Sequence, residues 1–383
     1  MTKRSVLAIG MALAFGGGGA AHAQDDAARI RELEERLARL EEQLRAVAST
    51  VRPASESARP ADSATAPARP SVDFNGNANI ELDTTHQPDT AGATQTGRVE
   101  LNLLGKTTFG EAFVAGKASF LARKDGSTAV DDMWVQAGNA FADVKLGRFE
   151  AADLFPLGRD TVLNRAGSGG YRANFIRGRF GGSSGNVVHL AGTANFGRGF
   201  GLEVGLAETR EAENLSAGQA EGLRPVFTYT ANGLALKAGF EFGRTTDGGA
   251  SGDARFVRTR GVGLTAGAAL GPGIANLNLA AGKADGLWKA ATIAANYTVP
   301  LGPWVHLEYG RIDPEANGLK TETVRTIAVG YQFPLFGIEN AYITPAFSYS
   351  KASSSNAFAG LGGSGRETEK AFRVRFNYTF AAF

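Results

Sequence analysis

The sequence contains no cysteine and only four histidines among its 383 residues. The absence of cysteine excludes a disulfide framework and a thiolate-ligated zinc site. No run of eighteen apolar residues occurs, which argues against transmembrane helices. The formal net charge is only +2, so a basic groove is not indicated and no nucleic-acid partner is expected. Glycine, by contrast, is abundant at 51 residues, as loop-rich sheet proteins require.

The first residues have the layout of a secretory signal peptide. Lys3 and Arg4 precede an apolar run over residues 6–15, and small residues then lead to Ala21-His22-Ala23, an A-x-A cleavage site. The apolar run is too short to cross a bilayer as a helix. We therefore expect residues 1–23 to be removed, which takes away two positive charges and brings the net charge of +2 to zero.

Residues 24–51 show the alternating spacing of three and four that is typical of a coiled coil. Pairing of Arg29 with Glu34, and of Arg36 with Glu41, would favour parallel chains in register. A single amphipathic helix lying on its own protein is the alternative, and the seam does not distinguish two strands from three. The predicted seam consists of Ile30, Leu33, Leu37, Leu40, Leu44, Val47 and Val51.

Residues 52–70 are rich in Pro, Ala, Ser and Arg and are predicted to form a semi-extended linker. The main domain is expected to cover residues 71–383. Within it, residues 371–380 alternate between apolar and polar side chains, which is the period of a β-strand. The same alternation runs without error over residues 72–82, a length of about eleven residues that suffices to cross a bilayer as a tilted strand.

The connections between the strand-like runs alternate in length. Tight turns are predicted at 109–111, 232–233, 271–273 and 300–303, and longer polar loops at 83–97, 209–223, 244–254, 312–321 and 351–368. Short turns at one rim and long loops at the other are typical of an outer-membrane β-barrel. Aromatic residues near strand ends, among them Phe109, Phe141, Trp288 and Trp304, are expected to form girdles at the membrane interfaces, although aromatic residues are common in any strand.

Residues 131–149, Asp-Asp-Met-Trp-Val-Gln-Ala-Gly-Asn-Ala-Phe-Ala-Asp-Val-Lys-Leu-Gly-Arg-Phe, resemble the fourth and fifth strands of the trimeric porins of Gram-negative outer membranes. In that family the fifth strand ends in Leu-Gly-Arg before a loop that folds into the pore. Phe383 resembles the family's C-terminal assembly signal, and the coiled coil resembles the periplasmic extension of sucrose-type and some phosphate-type porins. The resemblance implies an all-β transmembrane antiparallel barrel, a homotrimer and contact with outer-membrane lipid.

Seventeen strand-like runs can be counted, but a barrel with both termini in the periplasm needs an even number. The run over residues 171–180 breaks its alternation at Phe175 and Ile176. We therefore predict sixteen strands and assign this run to an inward-folded constriction loop, residues 151–182.

Charged residues on and around this loop are the candidate pore-lining groups. A mixed set would set up a transverse field that favours small polar solutes, whereas a ring of arginines would favour anions. The alternative is that the arginines pair with nearby carboxylates and only brace the loop. The candidates are Arg148, Glu150, Asp153, Arg159, Asp160, Arg165, Arg172, Arg177 and Arg179, with Arg98, Lys106, Lys117, Arg373 and Arg375 as a basic wall.

Two motifs with catalytic associations are better explained as turns. The G-x-S-x-G match at 181–185 and the G-x-G-x-x-G match at 360–365 both lead into strand-like sequence, whereas the catalytic and nucleotide-binding motifs need a following helix. No metal motif, cofactor or catalytic residue is predicted. A lipid hydrolase with Ser and His together on the outer wall stays an alternative.

The sequence thus predicts an outer-membrane porin that passes small hydrophilic solutes by diffusion, with carbohydrates favoured through the resemblance to sugar porins. The alternatives are an anion or phosphate channel, and a structural tether with a plugged lumen whose coiled coil contacts peptidoglycan.

Overall fold

The computed structural model describes residues 71–88, 93–158, 163, 170–178, 186–210, 220–247, 255–315, 319–354 and 366–381. The predicted signal peptide, coiled coil and linker therefore lie outside the described residues, as does Phe383. In the part that is described, no helix is long and apolar enough to cross a membrane.

Seventeen antiparallel strand segments form one sheet that closes on itself, since β1 pairs with both β2 and β17. The other strands pair with their neighbours in sequence, except that β14 and β15 pair with β16 and not with each other. The segments are β1 (Ser71–His86), β2 (Ala93–Phe109), β3 (Ala112–Arg123), β4 (Thr128–Asn139), β5 (Ala142–Arg148), β6 (Asn186–Gly197), β7 (Phe200–Arg210), β8 (Ala220–Ala231), β9 (Leu234–Asp247), β10 (Arg255–Leu270), β11 (Gly273–Ala284), β12 (Trp288–Thr298), β13 (Pro303–Pro314), β14 (Glu322–Tyr331), β15 (Phe333–Pro334), β16 (Ala341–Ala352) and β17 (Thr368–Ala381).

The barrel has sixteen strand positions, which confirms the predicted number. β14 and β15 both pair with β16 and share one position, interrupted at Gln332. The residue before the interruption, Tyr331, lies opposite Pro345 of β16, which has no N–H to donate to the ladder. The seventeenth candidate run, 171–180, contains no strand in its described residues, as predicted.

The two rims differ as the turn pattern predicted. The connections that follow β2, β4, β6, β8, β10, β12 and β15 lie at one rim and span two to six residues. The longer loops lie at the opposite rim. The strands reach further into the longer loops than predicted. For example, β1 continues to His86 and β2 begins at Ala93, so the expected loop 83–97 shrinks to 87–92. Asp83 consequently belongs to a strand.

Alternation along the strands separates an apolar outer wall from a polar interior. On β12, Thr292 and Asn296 face inwards and are buried, while Ile293 between them is 44% exposed on the outside. Apolar side chains exposed all round a closed sheet are what a lipid-facing wall requires.

The expected aromatic girdles are only partly right. Phe109, Phe141 and Phe336 are exposed at the short-turn rim. Trp288 and Trp304, however, are 7% and 4% exposed and face the interior, where they pack against loop residues. Their position is in phase with the inward-facing residues of their own strands, so neither belongs to a lipid-facing girdle.

Candidate functional site: the barrel lumen

The segment between β5 and β6 lies against the inner wall of the barrel. An isolated antiparallel bridge between Glu150 and Gly178 joins the beginning of this segment to its described second half. Leu154, Tyr171 and Ile176 are at most 2% exposed, because they are covered by the wall strands β8 to β11. The described residues of the segment thus lie inside the barrel, and a constriction loop over all of residues 151–182 stays a prediction.

Inward-facing glycines make room for the loop. A Cβ atom on Gly263 would lie 2.8 Å from Cβ of Leu154, and one on Gly282 would lie 2.6 Å from the Tyr171 ring. A Cβ on Gly261 would overlap the Tyr171 hydroxyl and lie 2.6 Å from Cζ of that ring. The wall therefore contains a recess, lined by these glycines, that larger residues would fill.

Polar wall side chains hold the backbone of the loop at its first turn. The Thr265 hydroxyl donates to the Leu154 carbonyl at 2.6 Å, and the side-chain amides of Asn278 and Asn296 both donate to the Pro156 carbonyl, at 2.8 and 2.9 Å. These contacts fix the loop backbone over β10, β11 and β12.

A buried ionic contact, here called the latch, holds the second half of the loop. It consists of Glu241 on β9, Arg224 on β8 and Tyr171 on the loop. The Tyr171 hydroxyl donates to the Glu241 carboxylate, which also accepts from the backbone N–H groups of Phe175 and Ile176, each at 3.3 Å.

Arg224 completes the latch from the wall side. Its Nε lies 3.8 Å from Glu241, its Nη2 donates to the Ala173 carbonyl at 3.3 Å, and both charged side chains are at most 1% exposed. Burial, together with the nearby Glu241 charge, raises the pKa of Tyr171, so this hydroxyl stays protonated and keeps donating.

Aromatic packing adds to the latch. The rings of Tyr171, Phe175 and Trp288 lie with their centroids 5.2 to 6.0 Å apart in tilted arrangements. Such pairs stabilise packing by about 0.5–1.5 kcal/mol beyond the area they bury.

Four of the predicted loop charges, all among the described residues, form ion pairs. Arg177 lies 2.9 Å from Glu150 and 3.5 Å from Asp153. Arg172 donates to Glu308 of β13 at 2.5 Å. These pairs brace the loop against itself and the wall.

Arg148, at the end of β5, donates from Nε to the Asp131 carbonyl at 2.8 Å. The remaining loop candidates, Arg159, Asp160, Arg165 and Arg179, lie outside the described residues.

The wall opposite the loop carries a charged cluster across the closure of the barrel, here called the seam cluster. Its centre is Arg375 of β17, which donates to both carboxylate oxygens of Asp83 at 2.7 and 2.8 Å and lies 3.4 Å from Glu81. Arg373 lies 3.9 Å from Asp83. The cluster consists of Glu81, Asp83, Arg98, Glu100, Arg373 and Arg375.

The seam cluster is mixed in charge rather than the basic wall that was expected. Arg98 lies 3.9 Å from both Glu81 and Glu100, and next to the cluster Lys117 pairs with Asp132 at 2.8 Å. Lys106 lies over the Phe113 ring instead of an acid, 5.0 Å from its centroid. The acidic partners were not among the predicted site residues, although the inward phase of Glu81 and Glu100 on their strands could have identified them.

No metal centre is visible in the described ranges, where no three His, Asp or Glu side chains could hold an ion together. The G-x-S-x-G and G-x-G-x-x-G matches lie outside the described residues. His189, which follows the first of them, faces inwards on β6 and stacks on Phe149 with ring centroids 3.9 Å apart.

A closed barrel with an apolar outer wall, a polar interior and a loop against its inner wall defines the class of outer-membrane channels. The sequence model of the Gram-negative porins matches residues 11–353, most of the chain. The chain therefore belongs to the Gram-negative porin family and forms an outer-membrane channel for small solutes. A search among curated proteins finds no match.

Solved porin-like barrels have the same fold. The in-vitro folded trimer form of OmpT from Vibrio cholerae aligns with a TM-score of 0.59 and 14% identity, covering 81% of this chain and 99% of that one. OprB from Pseudomonas putida aligns with a TM-score of 0.52 and 12% identity, covering 81% and 94%. At such low identity these likenesses concern the fold alone.

Proposed function

We propose that this porin is a weakly ion-selective diffusion channel for small hydrophilic solutes, carbohydrates among them. In this proposal the loop 151–182 narrows the lumen and the seam cluster forms the opposite wall. The supporting observation is the pairing of charges on both sides: Arg177 lies against Glu150 and Asp153, and Arg375 lies against Asp83.

Paired charges of both signs present hydrogen-bond donors and acceptors to a solute while cancelling most of the net field along the pore axis. Neutral polar solutes such as sugars can exchange their hydration for these groups. An ion of either sign meets one attractive and one repulsive partner, so its net preference is small.

Reversal potentials across planar bilayers in a salt gradient test this proposal. The unaltered channel should reverse close to zero. Asp83→Asn should shift the preference towards anions because it removes the carboxylate that Arg373 and Arg375 share, and Arg375→Gln should shift it towards cations. Glu221→Gln, which removes a carboxylate from the outer wall, is the control and should change nothing. Equal potentials in all four proteins would contradict the assignment of the seam cluster to the pore.

An anion or phosphate channel is the second candidate, because Arg98 is the most accessible cation of the seam cluster. Its side chain is 39% exposed, and its acidic neighbours are 3.9 Å away. A strong anion preference of the unaltered channel, removed by Arg98→Gln, would favour this candidate. Block of the current by maltose-like sugars would favour the carbohydrate proposal.

We also propose a homotrimer with its N-terminal segment in the periplasm. The Vibrio cholerae OmpT structure is described as a trimer form. Ser71, where β1 begins, pairs with Thr108 beside the 110–111 turn, so β1 starts at the short-turn rim, which is the periplasmic rim of such barrels.

The segment 24–51 would then staple the trimer or contact peptidoglycan as a coiled coil. Deletion of residues 24–70 should leave the single-channel conductance unchanged and lower the heat stability of the oligomer. A collapse of conductance would contradict this role, and a purified full-length protein that carries no current at all would favour the tether.

A further inference from the structure

The inward face of β1 carries three asparagines in succession between the short-turn rim and the seam cluster. Asn75, Asn77 and Asn79 alternate with small or apolar residues that face outwards, and a carboxylate follows at each end, Asp73 towards the rim and Glu81 in the seam cluster. Side chains two residues apart on a strand lie about 7 Å apart on the same face. We call the three asparagines the amide ladder. No other described strand has three carboxamides in succession on its inward face.

Neighbouring strands donate hydrogen bonds to the amide ladder. From β3, the Ser119 hydroxyl donates to Oδ1 of Asn102 on β2 at 2.5 Å, and Nδ2 of Asn102 donates to Oδ1 of Asn77 at 3.1 Å. From the other side, the Thr379 hydroxyl of β17 donates to Oδ1 of Asn79 at 3.1 Å. Both chains of hydrogen bonds therefore end on side-chain carbonyl oxygens of the ladder.

The amide N–H groups of the ladder are left as donors to the lumen. Within the described ranges, Nδ2 of Asn77 and Nδ2 of Asn79 donate to no protein acceptor, and the Asn75 side chain makes no hydrogen bond. Asn75 and Asn77 are exposed on this inward face, so water and solutes reach them. A hydrogen bond that an amide accepts at its carbonyl polarises it and strengthens the bond that its N–H donates.

The asparagines of β11 and β12 are engaged differently. Asn278 and Asn296 donate from their amides to the Pro156 carbonyl of the loop, and Asn276 donates to Asn296. These carboxamides attach the loop to the wall. No hydrogen bond joins the amide ladder to a described loop residue, so attachment of the loop does not explain the ladder.

The arrangement suits a neutral solute with several hydroxyl groups. The ladder itself carries no charge, and the charges at its margins are balanced: Arg98 lies 3.9 Å from both Glu81 and Glu100, and Lys106 lies directly opposite Asp73. An ion therefore gains little at the ladder. A hydroxyl group both accepts from an amide N–H and donates to a carboxylate, which an ether oxygen or a chloride ion cannot do.

We propose that the amide ladder is a hydrogen-bonding track for neutral sugars between the seam cluster and the short-turn rim. Asn77 and Asn79 donate to sugar oxygens, Asn75 extends the track towards the rim, and the carboxylates of Glu81 and Asp73 accept from sugar hydroxyls at its two ends. This inference rests on the proposed function, because it assumes that carbohydrates diffuse through the channel, and it assigns the residues that bind them.

The test is block of the single-channel current by maltotriose in planar bilayers, expressed relative to the sugar-free current of the same channel. Asn77→Leu/Asn79→Leu keeps the net charge and nearly the side-chain size but removes both donors. A neutral hydrogen bond changes affinity by a factor of about two to ten, so the half-blocking concentration should rise about tenfold. Thr193→Val removes a hydroxyl from the inward face of β6, opposite Asp143 and Glu203, and is the control that should be blocked as the unaltered channel is.

An unchanged half-blocking concentration in Asn77→Leu/Asn79→Leu, or equal weakening of block by Thr193→Val, would overturn the assignment. So would tighter block by maltotrionate, the oxidised form of maltotriose that carries a carboxylate, since that result would mark the donors as an anion site. If the double variant does not fold, Asn75→Leu and Asn79→Leu are recorded singly, and normal block in both would refute the ladder.

Swelling of liposomes in maltotriose separates this inference from the proposed function. Entry of maltotriose through the unaltered protein without block of its current would refute the ladder and leave the diffusion channel standing. No entry of maltotriose at all would refute carbohydrate permeation, and the ladder with it.

Discussion

The buried latch under the constriction loop gives the sharpest test of how the channel is kept open. Glu241→Gln removes the carboxylate that lies 3.8 Å from Arg224 and is as deeply buried as the guanidinium itself. Loss of one partner from a buried ion pair typically costs about 3–5 kcal/mol, since the remaining charge is left uncompensated. The Tyr171 hydroxyl and the two backbone N–H groups also exchange a charged acceptor for a neutral one.

This cost falls on attachment of the loop and not on the barrel, because the strands keep their own ladder of backbone hydrogen bonds. A loss of about 3 kcal/mol raises the population of the released loop on the order of a hundredfold. Single-channel recordings of Glu241→Gln should therefore show more open-channel noise and brief closures, with closure at a lower voltage than in the unaltered protein.

The control is Glu221→Gln, an exposed carboxylate on the adjacent strand that pairs with Arg244 on the outer wall. It should record as the unaltered channel does. Arg224→Met combined with Glu241→Gln removes the uncompensated charge, while the amide oxygen at position 241 still accepts a hydrogen bond from the loop, and should restore part of the quiet current. Noise in Glu241→Gln no greater than in the control would refute the reasoning that the latch holds the loop.

Three further perturbations of the loop should be informative. Gly261→Ala puts a methyl group into the Tyr171 ring and should displace the loop, which changes the conductance. Gly192→Ala, which has no atom within 4 Å of the new Cβ, should leave the conductance unchanged. Equal conductance of the two variants would contradict the claim that the glycine recess holds the loop. The pKa of Tyr171 is raised above its ordinary value of 10.0, so a released loop ionises at lower pH than an attached one, and attachment should weaken only as the pH rises above that value. Noise that increases between about pH 6 and about pH 9, or an alkaline increase that persists in Tyr171→Phe, would contradict this assignment. Trp288→Ala removes the ring that packs on Tyr171 and Phe175, and should loosen the loop by about 3–5 kcal/mol, seen as faster proteolysis within residues 151–182; an unchanged cleavage rate would count against it.

The strands were predictable because a two-residue period is a local property of the chain. Residues 72–82 and 371–380 carry it without interruption, and both are strands in the barrel. The same two-residue period would also have placed the side chains of Trp288 and Trp304 on the inward face of the barrel wall. Trp304 lies on the same face of β13 as His306 and Glu308, so its inward position could have been predicted from the sequence. Its assignment to a girdle relied on residue type alone.

The partners within the lumen were not predictable, because they depend on closure of the sheet. Asp83 lies at the end of a polar strand face and was assigned to a loop, yet it pairs with Arg375, 292 residues away. Arg177 and Arg172 were identified as candidates, but their pairing with Glu150 and Glu308 depends on the path of the loop. Local sequence indicates which residues face the water, and only the register decides which of them meet.

The seam between the first and last strands has a consequence for biogenesis. Arg373 and Arg375 come from β17, while Glu81, Asp83 and Arg98 come from β1 and β2. Asp83, Arg373 and Arg375, three of the six residues of the seam cluster, therefore reach these partners only when the first and last strands pair. In a folding intermediate whose sheet is still open, these acids and bases would lie on opposite edge strands. The ion pairs of the seam cluster would therefore form in the same step that closes the barrel.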